Sequence, residues 1–356
     1  TENRINVTAG GTGASRVFSA YTEGPRIYDY RVTYRGISPY VHAETSPNDR
    51  WRITGGLRFD RMSYLFDNRF EATPISAGGR FYGQSADSTV DFSRLSPKLG
   101  VTVRLSDATH AFASYNTGFR APSEGQLFRP ASATTLNQAN ASAHSSLRLA
   151  PIIATQLEVG LRGELGAGHY NVAVYDLRKK NDIVSLRDTA TNLTETVNAG
   201  RTRHRGVEVG LDGPLTETVS VATALSYARH TYEEWIAFNA GAGVNVNFSG
   251  KEIESSPRVL GNTRLRWTPQ ERVRLELEWI TLGSYWMNQA NTVSYGGHDL
   301  FNLRGHWQLN AHLAFFANLY NLTDRRYADS ASIASSTPVY SPGLPRTLYA
   351  GVEVNW

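Results

Sequence analysis

The sequence predicts an all-β protein, a transmembrane antiparallel up-and-down β-barrel of the outer-membrane type. Three observations predict it: apolar and polar residues alternate along most of the chain, very short connections alternate with long ones, and tryptophans gather at strand ends. Alternation is plainest at the C-terminus, where Leu348, Ala350, Val352, Val354 and Trp356 interleave with Thr347, Tyr349, Gly351, Glu353 and Asn355. Successive side chains of a strand turn to opposite faces, so such a segment has one apolar and one wet side.

A first strand is predicted over residues 28–43, and the two-faced pattern recurs to the end. Leu157, Val159, Leu161 and Leu165 alternate with Glu158, Arg162 and Glu164, and Val207, Val209 and Leu211 with Glu208 and Asp212. Val273, Leu275, Leu277 and Trp279 alternate with Arg274, Glu276 and Glu278; Phe301, Leu303, Trp307 and Leu309 alternate with Asn302, Arg304, His306 and Gln308. A soluble sandwich would bury the apolar set, whereas a membrane barrel turns it to lipid and encloses the charges in a hydrated lumen.

Connection lengths separate these readings. The connections at 46–50, 106–109, 166–168, 214–217, 269–271 and 310–311 are tiny, and those at 67–91, 120–151, 187–195, 233–255, 287–298 and 324–345 are long. Tight turns at one end and long loops at the other mark outer-membrane barrels. Sandwiches rarely need several loops above about 15 residues. Trp51, Trp267, Trp307 and Trp356 lie near short turns or the C-terminus, and Tyr285 and Trp286 near the opposite strand end, as two interfacial girdles would. Leu157, Val159, Leu161, Leu275, Leu277 and Trp307 are therefore expected to face outward, and Glu158, Arg162, Glu276 and Arg304 inward, with cross-strand carboxylate–guanidinium pairs in the lumen.

Composition sets further bounds. No cysteine is present, which excludes disulfides and thiolate metal sites, and the net charge is only +4 with no basic run, so nucleic acid is not an expected partner. Mean hydropathy is −0.37, and no stretch approaches the roughly 18 apolar residues of a spanning helix.

Several motifs carry a resemblance. The run from Phe315 to Asp324, including Asn321-Leu322-Thr323-Asp324, is followed by Arg326-Tyr327-Ala328 and by Tyr340-Ser341-Pro342-Gly343-Leu344-Pro345-Arg346, and the chain finishes on Trp356. Upstream lie Gly56-Leu57-Arg58-Phe59-Asp60, Leu95-Ser96-Pro97-Lys98-Leu99-Gly100, Tyr115-Asn116-Thr117-Gly118-Phe119-Arg120-Ala121-Pro122, and Asn198-Ala199-Gly200 leading to Gly206-Val207-Glu208. Together they resemble the C-terminal part of TonB-dependent outer-membrane receptors. Asn321 and Asp324 suit a turn, and Pro342, Gly343 and Pro345 a bend.

The resemblance implies a 22-stranded barrel around an N-terminal plug, of which this chain would hold about 13 to 14 strands. Residues 28–356 are then expected to be the C-terminal portion of the barrel, and residues 1–27 an extracellular loop or the end of a preceding strand, to which 16–21 would contribute. The plug, the TonB-engaging box and the early strands would be absent. The implied function is active transport of a scarce ligand, foremost a ferric siderophore, energised through TonB. Haem, cobalamin or a saccharide is the alternative ligand; a barrel enzyme or passive channel is the remote one. Implied partners are the iron chelate, TonB through the missing N-terminal region, outer-membrane lipid and the barrel-assembly machinery, with the protein a monomer in the bacterial outer membrane and no cofactor.

No catalytic motif is present. Gly10-Gly11-Thr12-Gly13 sits in an unpatterned segment and reads as a loop rather than a nucleotide site. Ligand contacts are expected from Arg120, Arg129, Arg187, Trp235, Tyr285 and Trp286, with Arg201, Arg203, Tyr232 and Tyr295 as further loop candidates. Arginine would pair with anionic chelate oxygens and aromatic rings would stack on aryl groups. His144, after Phe119-Arg120-Ala121-Pro122, is the candidate iron ligand if the cargo is haem.

Overall fold

The computed structural model of the chain describes residues 26–70, 74–130, 132–187, 194–239, 242–334 and 337–355. The two-residue period yields one 14-stranded antiparallel sheet in which sequence neighbours pair. It begins with Tyr30–Ile37 and Tyr40–Asn48, which both pair with Trp51–Asn68. It continues through Ser88–Arg104, Thr109–Arg120, Ile152–Leu165, Gly168–Arg187, Thr194–Pro214, Val219–Glu234, Val259–Gln270, Val273–Leu282, His298–Gln308 and Leu313–Tyr320 to Thr347–Val354. Among the described residues the first and last strands do not pair with each other. Trp356 and residues 16–21 lie outside the described residues.

Directly paired residues share a face, so the register reads out both surfaces. Val159, Val174, Val207 and Tyr227 form one row across four strands, all exposed. Leu157, Leu161, Leu277 and Trp307 are exposed on that same outward face, and Leu275 is half-buried there. So many exposed large apolar side chains on one continuous face suit lipid and not water. Trp51, Trp267 and Trp307 are exposed beside the short turns. Toward the opposite end the outward aromatics include Tyr227 and Trp279, and the Trp279 indole N–H donates to Asp299 Oδ1 at 2.9 Å. Tyr285 and Trp286 are half-buried in a loop instead, because they sit beyond the end of the wall strand.

The inner face carries the charges. Glu278, 7% exposed, accepts from Asn262 and Asn302 at 2.8 Å each and from Arg304 at 2.6 Å. Glu276 joins Arg266 and Arg304 at 3.1 Å each. A buried carboxylate is tolerable only with such compensation. Elsewhere Lys98, Glu208 and Arg264 are exposed on the inner face, so hydration replaces pairing.

The short connections are tight turns, as at Asn48, whose side chain accepts from the Arg50 and Trp51 amides at 3.0 and 3.2 Å. The long connections fold further than expected. Small hairpins form from Ile75–Ala77 with Arg80–Tyr82, Ile236–Asn239 with Val244–Asn247, Tyr285–Trp286 with Ser294–Tyr295, and Ala328–Ala334 with Thr337–Pro342. The connection at 120–151 contains two helices, α1 (Glu124–Phe128) and α2 (Leu136–Ser146). Ser123 and Gln126 form a reciprocal capping box for α1, and the Thr135 side chain caps α2. This segment tucks against the inner face, where Leu127, Phe128 and Leu149 pack on Phe66 and Phe92. The Phe66 and Phe128 rings stack at 4.3 Å and 11°.

One ladder stops early. Ser88–Arg104 pairs with Thr109–Arg120 only from Lys98↔Asn116 toward the short turn. Pro97 has no N–H to offer the next rung, and the Thr117 hydroxyl donates to its carbonyl at 2.9 Å. The C-terminal motifs lock together: Asn321 and Asp324 take positive φ of 51° and 53°, and Asn321 Nδ2 reaches the Arg325 and Leu344 carbonyls at 2.9 and 3.0 Å. A Cβ on Gly343 would collide with the Tyr327 ring, so the two halves of the motif meet through a ring laid on a glycine.

Candidate functional site

At the long-loop end the inner wall becomes a polar and aromatic mouth. Parity along Thr194–Pro214 places it: Val207 faces out, so Thr202 and His204 face in, beside Lys179 and His230 on the flanking strands. The His204 and His230 Nδ1 atoms lie 2.8 Å apart, and Thr202 Oγ1 is 3.1 Å from His204 Nε2. One imidazole must donate and the other accept in such a contact. Lys179 pairs with buried Asp182 at 3.0 Å. Tyr232, 3% exposed, donates to Glu254, which also accepts from Gln289 at 3.3 Å. Thus the connections after Val219–Glu234 and Val273–Leu282 are tied to each other, a link reinforced by Asn291 with Glu252.

The expected ligand residues do not form a single cluster. Arg187 and Trp235 belong to this mouth. Arg187 lies over the Phe238 ring at 5.3 Å and donates from Nη1 to the Gly243 carbonyl at 3.1 Å. Trp235 packs on Gly200, with its ring 4.6 Å from that of Tyr232. The Trp235 indole N–H and Arg187 Nε are both buried and lack an acceptor among the described residues. Tyr285 and Tyr295 form a second group around Met287, Ala328 and Ala331, and Trp286 is half-buried in the same hairpin. There the Tyr285 hydroxyl bridges both backbone groups of Ala331 at 2.9 and 3.2 Å, and the Tyr295 hydroxyl contacts His298 Nδ1 at 2.9 Å.

Arg129 closes α1, lying 5.3 Å over the Tyr30 ring and bonding Tyr30 and Glu124. Nearby, burial holds the Tyr28 phenol above its usual range, which keeps its proton for the Pro130 carbonyl at 3.0 Å. Arg120 is exposed at a strand end, and His144 is exposed on the last turn of α2. Arg201 pairs with Glu234 at 3.1 Å. Arg203 faces outward, away from the mouth, bound to Asp176. Sequence reasoning passed over Lys179, Thr202, His204 and His230, although the parity set by Val207 and Val209 already places Arg203 outside and His204 inside.

Asn198 explains one motif. Its Oδ1 accepts from the Ala150 amide at 2.6 Å, and its Nδ2 donates to the Ala150 and Asn181 carbonyls at 2.9 and 2.8 Å. The side chain thereby fastens the end of the helical connection to the wall.

A lipid-facing barrel wall with a charged inner face and a structured mouth defines an integral outer-membrane barrel protein. The family model "TonB dependent receptor-like, beta-barrel" matches residues 3–322, and the chain belongs to that family, a bacterial outer-membrane family of transport receptors and not of enzymes. The metal-pseudopaline receptor of Pseudomonas aeruginosa is 23% identical over 318 residues, 87% of this chain and 39% of the relative. The ferrioxamine B receptor of Salmonella typhimurium is 22% identical over 354 residues, 94% of this chain and 44% of the relative. The crystal structure of the siderophore receptor PiuA from Acinetobacter baumannii superposes with a TM-score of 0.73 at 15% identity, covering 92% of this chain and 44% of that one. The chain thus spans less than half the length of these relatives.

Proposed function

We propose that the protein containing this barrel segment is an outer-membrane active-transport receptor that captures a ferric siderophore at its long-loop end and is energised through TonB. The observation that carries the reading is the mouth, where Arg187 and Trp235 hold buried donors without acceptors among the described residues, Trp235 beside the Tyr232 ring. Buried unmatched donors cost free energy until an acceptor arrives, and anionic chelate oxygens are such acceptors. The relatives named above are receptors for metal–pseudopaline and ferrioxamine B, which agrees with a chelated metal as cargo. Energy would enter through a plug and a TonB-engaging segment outside the described residues.

Haem is the second reading, and exposed His144 on α2 is what favours it. The test is growth of a receptor-deficient strain carrying the full-length gene, with single ferric siderophores, haem or cobalamin supplied in turn. Growth on one siderophore, abolished by loss of TonB and reduced about tenfold in uptake affinity by Trp235→Ala, is expected; one lost stacking or hydrogen-bonding contact is worth about 1.4 kcal/mol. Uptake persisting without TonB sinks the energised mechanism. Growth on haem alone, lost with His144→Ala, replaces the siderophore by haem.

A further inference from the structure

On the outward face, the apolar belt ends in a row of charges. The register sets Leu157, Asp176, Arg205 and Arg229 side by side, two residues beyond the row of Val159, Val174, Val207 and Tyr227. Asp176 is taken by Arg203 and Arg178. Arg229 lies 3.6 Å from Glu252, which Arg258 already grips. Arg205 is exposed and makes no ion pair among the described residues. Two guanidiniums directly opposite on one face repel each other. Four arginines, at 178, 203, 229 and 258, already share three carboxylates, Asp176, Glu233 and Glu252, which leaves Arg205 without one among the described residues.

Arg205 and Arg229, with Asp176 and Glu233 beside them, line a groove of about 1010 Å³ whose apolar residues are Leu157, Val159, Val174, Val207 and Tyr227. Its height fits a boundary between acyl chains and head groups. Arg205 stands roughly 30 Å along the strand from Pro214, at about 3.3 Å per residue, and a tilt of about 45° brings that to roughly 21 Å, close to the roughly 25 Å apolar band of outer-membrane barrels. We propose that this groove is a binding site for an anionic lipid of the outer leaflet. Its phosphate would bridge Arg205 and Arg229, relieving their repulsion, while an acyl chain lies along the Val174, Val207 and Tyr227 floor. Arginine favours phosphate through paired N–H donors, and an apolar lining in the same groove suits a lipid rather than a free anion.

The test uses the purified full-length receptor in a nonionic detergent, titrated with phosphatidylglycerol or phosphatidylcholine and read by native mass spectrometry. At least tenfold tighter retention of phosphatidylglycerol is expected, falling to the phosphatidylcholine level in Arg205→Gln/Arg229→Gln, with Arg205→Lys/Arg229→Lys keeping most of the preference. Inorganic phosphate at millimolar concentration should not displace the lipid. Heat-modifiable electrophoretic migration confirms folded barrels, and Arg205→Gln alone, expected to lose at least threefold, serves if the double variant does not fold. Equal retention of both lipids, or a preference unchanged in folded variants, overturns the proposal. Displacement by phosphate alone reduces the site to a free-anion site and overturns its lipid character.

Discussion

Substituting Asn198 separates the latch of the helical connection from the stability of the wall. Asn198→Ala deletes three hydrogen bonds, at 2.6, 2.8 and 2.9 Å, and leaves the Ala150 amide and two carbonyls without these partners. At about 1 kcal/mol net for each bond, the segment loses roughly 3 kcal/mol of protection against local opening, close to a hundredfold in the opening constant. Asn198→Asp retains only an acceptor and sets a carboxylate against two carbonyls, so it should open the segment at least as far as Ala does. Hydrogen–deuterium exchange of the full-length receptor in micelles, followed peptide by peptide, measures this. Exchange in 121–151 should accelerate by about two orders of magnitude, while Val259–Gln270 and Val273–Leu282 remain unchanged. If 121–151 exchanges at the wild-type rate in both variants, the side-chain latch does not hold the segment. If the whole barrel accelerates together, local opening is the wrong description.

Further outcomes follow from the same geometry. Phe128→Ala, which empties the stack on Phe66, should cost about 3–5 kcal/mol of local stability and make 121–151 sensitive to limited proteolysis. Gly343→Ala should lower refolding yield, with a penalty of about 1–3 kcal/mol, and a smaller residue at Tyr327 should restore it because the collision is with that ring. Leu265→Arg on the outward face should cost about 2–4 kcal/mol in bilayer refolding titrations, whereas Arg264→Gln beside it, exposed on the inner face, should be near neutral.

The wall was legible because one chemical rule governs it: every second residue meets lipid, so Val207, Leu277 and Trp307 declare a face by themselves. Connection lengths then fixed which end carries loops. The helices were hidden because α2, Leu136–Ser146, is rich in Ala, Ser and Asn and shows no apolar stripe, although Ser123 and Gln126 already spelled a cap. The mouth was legible only in part. Arg187 and Trp235 were chosen for their chemistry and do lie there, but chemistry alone also selected Arg203, which strand parity sends outward. Tyr285 and Trp286 looked interfacial by position along the chain, yet both are half-buried in a loop hairpin, with Tyr285 packed on a local apolar cluster. What joins Tyr232 to Glu254 and Gln289 is loop packing, which no periodicity encodes.

The early end of the ladder at Pro97 changes how the mouth carries load. Beyond that rung, Ser88–Arg104 stays paired to Trp51–Asn68, and Thr109–Arg120 stays paired to Ile152–Leu165, but the two pairs no longer share rungs with each other. The upper wall is therefore two leaves with a seam between them. The helical connection stitches that seam: Phe128 and Leu127 pack against Phe66 and Phe92 in one leaf, and Ala150 is fastened to Asn198 beyond the other. Where the ladders are continuous, backbone rungs fix the spacing of neighbouring strands. Along this seam side-chain packing takes the place of those rungs, so the junction of the two leaves rests on the Phe128 ring and the Asn198 amide.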